Sequence, residues 1–107
     1  MWGRCDRERD WIPPLGDSSR AAGRRLERFV SQVDVRHPDG RVVAVTHGGV
    51  LADFLRNVIP RESLEAAHAA FARAPYDGNV VRECSVTRIR LVRGSIELVE
   101  LASVAHL

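Results

Sequence analysis

The sequence predicts an α/β fold, and three observations lead to that prediction. Helical and extended patterns follow one another in the order helix, strand, helix, helix, strand, strand. The run Val42-Val-Ala-Val45 is continuously apolar, which is typical of a strand covered on both faces in a parallel sheet. Near the end of the chain, Arg93-Gly94-Ser95 separates two strand-like runs and indicates a hairpin.

The composition is that of one small globular domain. The chain has 107 residues, of which 45% are hydrophobic and 28% charged. No apolar run approaches the roughly 20 residues that a membrane span needs, and the N-terminus has no apolar stretch typical of a signal peptide. We therefore expect a cytoplasmic protein with no membrane contact. Cys5 and Cys84 lie far apart and fit no CxxC pattern, so we expect ordinary thiols.

The basic residues do not indicate nucleic-acid binding. All 16 are arginine, but 14 acidic residues offset them and the net charge is +2. They are spread along the chain, and aromatic residues make up only 6%. A nucleic-acid interface would need a concentrated basic face or stacking residues. A genome rich in arginine codons is a sufficient explanation.

Residues 1–16 are expected to be irregular, because they mix charges with two tryptophans and end in the breaker Pro13-Pro-Leu-Gly16. Asp17 or Ser18 is then predicted to cap a helix, since its side-chain oxygen can accept an amide of the first turn. The helix should end before the turn sequence His37-Pro-Asp-Gly40.

Helical spacing predicts one buried face on this first helix. That face comprises Ala22, Leu26, Phe29, Val30 and Val33. Arg20, Arg24 and Arg28 form a stripe on another face. We expect this stripe to be solvated and paired with Glu27, with substrate contact as the alternative.

Two more helices and two strands are predicted after the strand at residues 41–46. A helix opens at Gly48 and stops at Pro60, and another covers about residues 62–73. The buried positions of the first of these are Val50, Leu51, Phe54, Leu55 and Val58, and those of the second are Leu64, Ala67, His68 and Phe71. A loop at residues 75–79 leads to strands at about 83–92 and 95–101.

His47 stands at the carboxyl end of the predicted strand, directly before two glycines that open a helix. Open α/β sheets bind ligands at this position. First-turn amides lack partners within the helix, and the dipole adds partial positive charge, so anions bind there. A histidine at the mouth can donate a charge-assisted hydrogen bond to a phosphoryl oxygen, and glycine lets a phosphate approach the backbone. The pattern predicts a phosphate site formed by His47 and the Gly48 amide.

On the residues alone, two other interpretations stay open. His47 could merely end the strand, with Gly48 and Gly49 making only a turn. A His-Gly-Gly sequence also occurs in the oxyanion loops of lipase-like α/β hydrolases. Those loops normally continue with another glycine, where Val50 stands here, and they need a G-x-S-x-G elbow, which this sequence does not contain.

Val42-Val-Ala-Val-Thr-His-Gly-Gly-Val50 resembles the second histidine motif of the histidine phosphatase superfamily, the phosphoglycerate-mutase-like proteins. Gly16-Asp-Ser18, opening a helix that carries Arg24 or Arg25, resembles that family's Gly-Glu-Ser helix start. Further along, Glu83-Cys-Ser-Val-Thr87 resembles its Asn-Cys-Ser-Val-Thr strand entry, and Ala105-His-Leu107 its Thr-Ala-His-Leu ending. The four motifs occur in the family's order over residues 16–107.

The resemblance implies a fold and a chemistry. The fold would be a partial three-layer α/β/α arrangement, a sheet flanked by helices with a C-terminal hairpin. The chemistry would be metal-independent hydrolysis of phosphate monoesters through a phosphohistidine, or phosphoryl transfer between hydroxyls, on a phosphorylated small molecule. An Arg-His-Gly motif supplies the nucleophile in this family, and the second histidine, matched by His47, binds the phosphoryl group.

The sequence departs from the family pattern because it contains no Arg-His-Gly. His37 precedes a proline in a turn, so we do not expect it to be the nucleophile. His68 is expected to be a core-edge histidine with a backbone hydrogen bond, with pocket lining as the alternative, and His106 to be structural. Glu8 is the candidate acid, although its surroundings do not resemble the family's acid motif.

We therefore expect residues 1–16 to be an irregular N-terminal segment and residues 17–107 to be the C-terminal half of a histidine phosphatase domain, inactive alone. A truncated gene or a misplaced start codon is the first explanation, and a purposeful half-domain or inactive remnant the second. The family places the nucleophile-bearing strand beside residues 42–45. Without it an apolar strand edge is exposed, which favours self-association.

Overall fold

A computed structural model describes residues 7–72 and 81–107 of the protein. Within the described residues, the bounded elements are three α-helices and a 3₁₀ helix, followed by an antiparallel sheet of two strands. The helices are α1 (Ser19–Arg36), α2 (Gly48–Val58) and α3 (Arg61–Ala67), followed by the 3₁₀ helix Ala69–Ala72, and the strands are β1 (Val86–Val92) and β2 (Ser95–Ser103). Helices combined with a sheet make a partial α/β fold, which confirms the predicted class. The predicted loop at residues 75–79, Cys5 and the first six residues lie outside the described residues.

Helix α1 begins and ends where its capping residues predict. The Ser18 hydroxyl accepts a hydrogen bond from the Ala21 amide at 3.2 Å, so Ser18 rather than Asp17 is the N-cap. At the other end the His37 amide donates to Val33, and the Gly40 amide donates back to His37 in the predicted turn.

The buried face of α1 is rotated from the predicted one. Ser19 and Gly23 are its buried residues, and Leu26 and Val30 pack against the core. Phe29 is 45% exposed. The rotation arises because α1 contacts α2 through small residues rather than large ones. A Cβ on Gly23 would lie 2.7 Å from the Asp53 carbonyl oxygen, so only glycine allows this approach.

Helix α2 supplies the centre of the core, as its apolar spacing predicts. Phe54 and Leu55 are its most deeply buried side chains. They form one cluster with Ile59, Leu64 and Phe71, against which pack Leu26, Val30, Leu51, Val58, Val81, Ile89, Ile96, Leu98 and Leu101. The hairpin and all the helices therefore share a single core. The helix ends at Ile59, and Pro60 caps α3.

The helix predicted over residues 62–73 is shorter and broken. Helix α3 ends at Ala67, His68 is its C-cap with φ −151° and ψ 117°, and a 3₁₀ helix follows. The His68 amide donates to Leu64 at 2.9 Å. His68 therefore lies at a helix end rather than on a helix face, and this bond belongs to its main-chain amide, so the predicted hydrogen bond of its side chain stays a prediction.

The prediction of a buried, sheet-paired strand at residues 41–46 is wrong. Residues 41–47 contain no helix, turn or bend, but they are not paired in a sheet. Val43 is 93% and Val45 97% exposed. A strand needs neighbours that accept and donate its backbone hydrogen bonds, and the described residues supply none here. The apolar run has a preference for burial that residues 7–72 and 81–107 do not satisfy.

The C-terminal hairpin is confirmed, with the turn at Arg93-Gly94. Both residues have positive φ, 51° and 79°, as a type I′ turn requires. Val92 pairs with Ser95 and Val86 with Ser103, and the register shifts near Arg88. Beside this irregularity, the Ala102 amide donates to the Thr87 hydroxyl oxygen at 3.0 Å.

Candidate functional site

His47 is the N-cap of α2 and is exposed. Its backbone is extended, with φ −106° and ψ 148°, and its carbonyl oxygen accepts the Leu51 amide at 3.1 Å to start the helix. The imidazole makes no capping hydrogen bond. It has no hydrogen-bond partner anywhere in residues 7–72 and 81–107. Within this part of the chain, neither ring nitrogen is engaged in a hydrogen bond.

The two glycines after His47 play different parts. A Cβ on Gly48 would lie 2.6 Å from the Val81 carbonyl oxygen, so the absent side chain lets the segment before β1 pack against the helix start. Gly49 has open space where its side chain would be, with nothing within 4 Å. The sequence pattern assigned both glycines to the approach of a phosphate. The space beside Gly49 is compatible with that role, whereas the space beside Gly48 is already taken.

The first turn of α2 presents free amide donors. Those of Gly48, Gly49 and Val50 have no acceptor within the helix, and none of the described residues supplies one. No acidic side chain lies in this turn. The helix dipole adds partial positive charge at the same place. An exposed imidazole and unpaired amides can together bind an anion of phosphate size.

A partly buried polar cluster holds α2 against α1 and the N-terminal segment. The Ser19 hydroxyl donates to the Asp53 carboxylate at 2.5 Å. Arg9 donates through Nε to the Ser19 hydroxyl oxygen at 3.2 Å and through Nη2 to the Asp53 carbonyl oxygen at 2.8 Å. The Asn57 amide group donates to the Arg20 carbonyl oxygen at 3.1 Å. Three separate segments meet at these bonds, so they fix where α2 lies.

Burial dominates the electrostatics of this cluster. It raises the pKa of Asp53, although the Ser19 hydrogen bond and the charges of Arg9 and Arg56 oppose the change. Burial and repulsion from Arg56 and Arg20 lower the pKa of Arg9 to about 10. Arg9 still carries its charge at neutral pH.

The predicted arginine stripe pairs differently from expectation. Arg20 forms an ion pair with Asp10 at 3.0 Å, rather than with Glu27. Arg25, the other arginine of the helix start, pairs with Asp17. Arg24 and Arg28 line a shallow depression of about 400 Å³ on α1 that does not include His47.

Among the described residues, none of the remaining predicted site residues forms a hydrogen bond or ion pair with His47. His106 is exposed in the turn that follows β2, and His37 is exposed at the end of α1. Glu8 is exposed near the N-terminus, where its carbonyl oxygen accepts the Trp11 amide. Cys84 is a free, exposed thiol with φ 60°.

Comparison with known proteins identifies the family. The sequence model of the histidine phosphatase superfamily (branch 1) matches residues 2–103. The chain belongs to the histidine phosphatase superfamily. No curated protein and no solved structure matches it. Members of this superfamily act on phosphorylated small molecules.

The histidine phosphatase match extends beyond the motifs found by inspection. It includes residues 2–15, which the resemblance does not use, and it stops before His106. In the structure this segment is joined to the helices, because Arg9 contacts both α1 and α2. No sequence signal singled out Arg9, Ser19 or Asp53. The one sequence feature that indicates a close contact between α1 and α2 is the pair of small residues, Ser19 and Gly23, on one face of α1.

Metal and membrane features are absent from the parts of the chain that the structure describes. There, no three His, Cys, Asp or Glu side chains come together as metal ligands would. No helix in the same residues has the length and apolar character to cross a bilayer.

Proposed function

We propose that this histidine phosphatase superfamily chain binds the phosphoryl group of a phosphate monoester at the His47 end of α2. In this proposal the His47 imidazole donates a charge-assisted hydrogen bond to a phosphoryl oxygen, and the Gly48 amide donates a second. Both stabilise the negative charge that develops on the phosphoryl oxygens during transfer. The substrate is a small phosphorylated molecule that enters over Gly49.

The reaction proposed for a domain that also contains the nucleophile is hydrolysis in two steps. A nucleophilic histidine attacks phosphorus, and the alcohol leaves with a proton from an acid. Water then attacks the phosphohistidine and releases inorganic phosphate. The residues of this chain contribute phosphate binding and charge stabilisation to both steps, while the Arg-His-Gly motif that carries the nucleophile does not occur in it.

One observation carries the proposal. His47 is exposed and without a partner among the described residues, at a helix start with free amides, in a chain of this superfamily. This arrangement leaves the imidazole beside the first-turn amides of α2, where an anion can contact both. The match to the histidine phosphatase superfamily removes the support for the lipase-like alternative.

A second candidate function is phosphate binding or partner pairing without turnover. The absence of Arg-His-Gly from the 107 residues favours it for this chain by itself. We propose that these residues alone bind phosphate and do not hydrolyse a phosphate ester.

Phosphate titration followed by NMR tests the assignment of His47. We expect inorganic phosphate to shift the His47 ring signals and the Gly48 and Gly49 amide signals. His47→Ala should weaken binding about 10- to 100-fold, because it removes a charge-assisted hydrogen bond worth about 1.5–3 kcal/mol. His106→Ala and His37→Ala, which remove exposed histidines elsewhere, are the matched controls.

Two outcomes would contradict the proposal. If His47→Ala binds phosphate as tightly as the wild type, His47 is not the ligand. If the purified 107-residue chain hydrolyses p-nitrophenyl phosphate and His47→Ala abolishes that activity, the chain is an enzyme on its own and the second candidate function is wrong.

A further inference from the structure

The segment before β1 passes beside the first turn of α2. A Cβ on Gly48 would lie 2.6 Å from the Val81 carbonyl oxygen and 3.6 Å from the Val81 carbonyl carbon. That carbonyl carbon is bonded to the Arg82 nitrogen, so the Arg82 backbone starts beside Gly48. Gly48 follows His47 directly, and its amide belongs to the proposed phosphate site. An arginine therefore lies beside this site on a second segment of the chain.

Two features fix the backbone at Arg82. The Val81 side chain packs against the hydrophobic core, while its carbonyl oxygen lies against Gly48. The Arg82 carbonyl oxygen accepts the Ser85 amide at 3.2 Å in the turn that leads into β1. Because this backbone is already ordered, only the side chain loses conformational freedom when Arg82 binds a ligand.

The Arg82 side chain is an exposed cation without a partner among the described residues. No hydrogen bond or ion pair joins its guanidinium to them, and its exposed neighbour Glu83 does not pair with it. Arg88 and Arg90 of the adjoining strand, by contrast, each pair with a glutamate of β2. Within this part of the chain, the Arg82 guanidinium can therefore turn toward the start of α2.

The charge of the ligand gives a nearby cation its importance. A phosphate monoester carries about −1.5 to −2 charges at pH 7, whereas a helix N-terminus supplies about half a positive charge. The His47 imidazole adds at most one more. The Val81 carbonyl oxygen beside Gly48 brings partial negative charge to the same place. His47 and the first-turn amides thus leave part of the ligand's charge uncompensated.

We propose that Arg82 is a further phosphate ligand of the His47 site, donating to the phosphoryl oxygens from the segment before β1. An arginine offers paired donors that match two oxygens of one phosphoryl group, and it stays charged at neutral pH. It stabilises the charge that develops on those oxygens during transfer. This assignment rests on the function proposed for His47 and extends the site from α2 to a second element.

Phosphate titration of Arg82→Gln tests the assignment. In the 107-residue chain we expect this variant to bind inorganic phosphate about tenfold more weakly than the wild type, because it lacks a charge-assisted hydrogen bond. The Gly48 and Gly49 amide signals in NMR spectra measure the affinity. The matched control is Arg28→Gln, which removes the same charge from an exposed arginine of α1 and should change the affinity less than about twofold. Equal affinities of the two variants overturn the proposal.

The conservative variant Arg82→Lys tests whether the positive charge is what binds. Lysine keeps the charge and loses the planar fork, so it can still donate to a phosphoryl oxygen. We expect Arg82→Lys to bind inorganic phosphate more tightly than Arg82→Gln. A lysine variant as weak as the glutamine variant overturns the proposal, since the lost affinity would then not come from a lost cation.

The Arg82 Nε–H signal tests direct contact. In the wild type it should shift on addition of inorganic phosphate and reach saturation at the same concentrations as the Gly48 amide signal. Arg82→Gln identifies the signal by removing it. A residue that only shaped the segment before β1 would not give this response. If the Gly48 signal shifts and the Arg82 signal does not, Arg82 is not a ligand.

The two proposals fail separately. If His47→Ala leaves phosphate binding unchanged, the function proposed for His47 is wrong. If His47→Ala weakens binding and Arg82→Gln binds as tightly as its control, His47 keeps its function and the assignment of Arg82 is wrong.

Discussion

Ser19 shows how much one hydroxyl can determine in a small domain. It is almost completely buried, it donates to Asp53, and it accepts from Arg9. Its position at the start of α1 follows from the neighbouring Ser18 cap. The hydroxyl therefore joins three segments that the sequence separates, and both charged partners depend on it for a hydrogen bond.

We expect Ser19→Ala to lower the free energy of unfolding by about 1–3 kcal/mol, because it leaves the Asp53 carboxylate and Arg9 Nε without their partner. Urea denaturation measures the change. Ser31→Ala, at an exposed position of the same helix, is the control and should alter stability by less than about 0.5 kcal/mol. Equal effects at the two positions would mean that the cluster does not stabilise the fold.

Asp53 makes stability depend on pH. Burial raises its pKa above the ordinary 3.8, so the folded state favours the protonated carboxyl. That stabilisation is fully present below the unfolded pKa and is lost as pH rises through the folded pKa. Between about pH 3 and pH 7 the wild type should lose stability relative to Asp53→Asn, which keeps an acceptor for Ser19 and does not titrate.

Urea denaturation of both proteins across this pH range measures the difference. Asp39→Asn, in the exposed turn after α1, is the control for removing a carboxylate. A difference between wild type and Asp53→Asn that is constant with pH, or that follows the same course as the control, would count against the burial of Asp53.

At the scale of elements, α2 is held by close contacts at two glycines. Gly23 of α1 lets the Asp53 backbone approach from one side, and Gly48 lets the Val81 carbonyl oxygen approach at the helix start. The N-terminal end of α2, where His47 lies, is therefore positioned by backbone contacts as well as by the core. Such contacts leave no room for even one methyl group.

Alanine substitutions at the two neighbouring glycines should have different outcomes. Gly48→Ala places a Cβ 2.6 Å from a backbone oxygen, so we expect a loss of about 1–3 kcal/mol in the free energy of unfolding. Gly49→Ala meets open space and should be neutral or slightly stabilising, since alanine favours helix. Thermal or urea unfolding of the pair decides this, and equal losses would contradict the Val81 contact.

At the scale of the whole molecule, one core joins three helices to the hairpin, while residues 41–46 remain outside it. The valines of that segment are as apolar as those of the core. They stay exposed because no described strand lies beside them.

The sequence by itself determined α1, α2, the hairpin and the position of His47 before α2, because caps, periodicity and turn residues are local signals. Ser18, Pro60 and Gly94 each act within a few residues of their own position. The family was also readable from the order of short motifs, and the superfamily match confirms it. Whether His47 binds phosphate stays a prediction.

Only the tertiary structure decided which residues meet across the chain. The Arg9–Ser19–Asp53 cluster joins positions up to 44 residues apart, and no local pattern encodes such a contact. The exposure of residues 41–46 was equally beyond the sequence, because an apolar run specifies a preference for burial and not the partner that satisfies it. A side chain is buried only when neighbouring elements pack against it, so burial is decided by the tertiary structure.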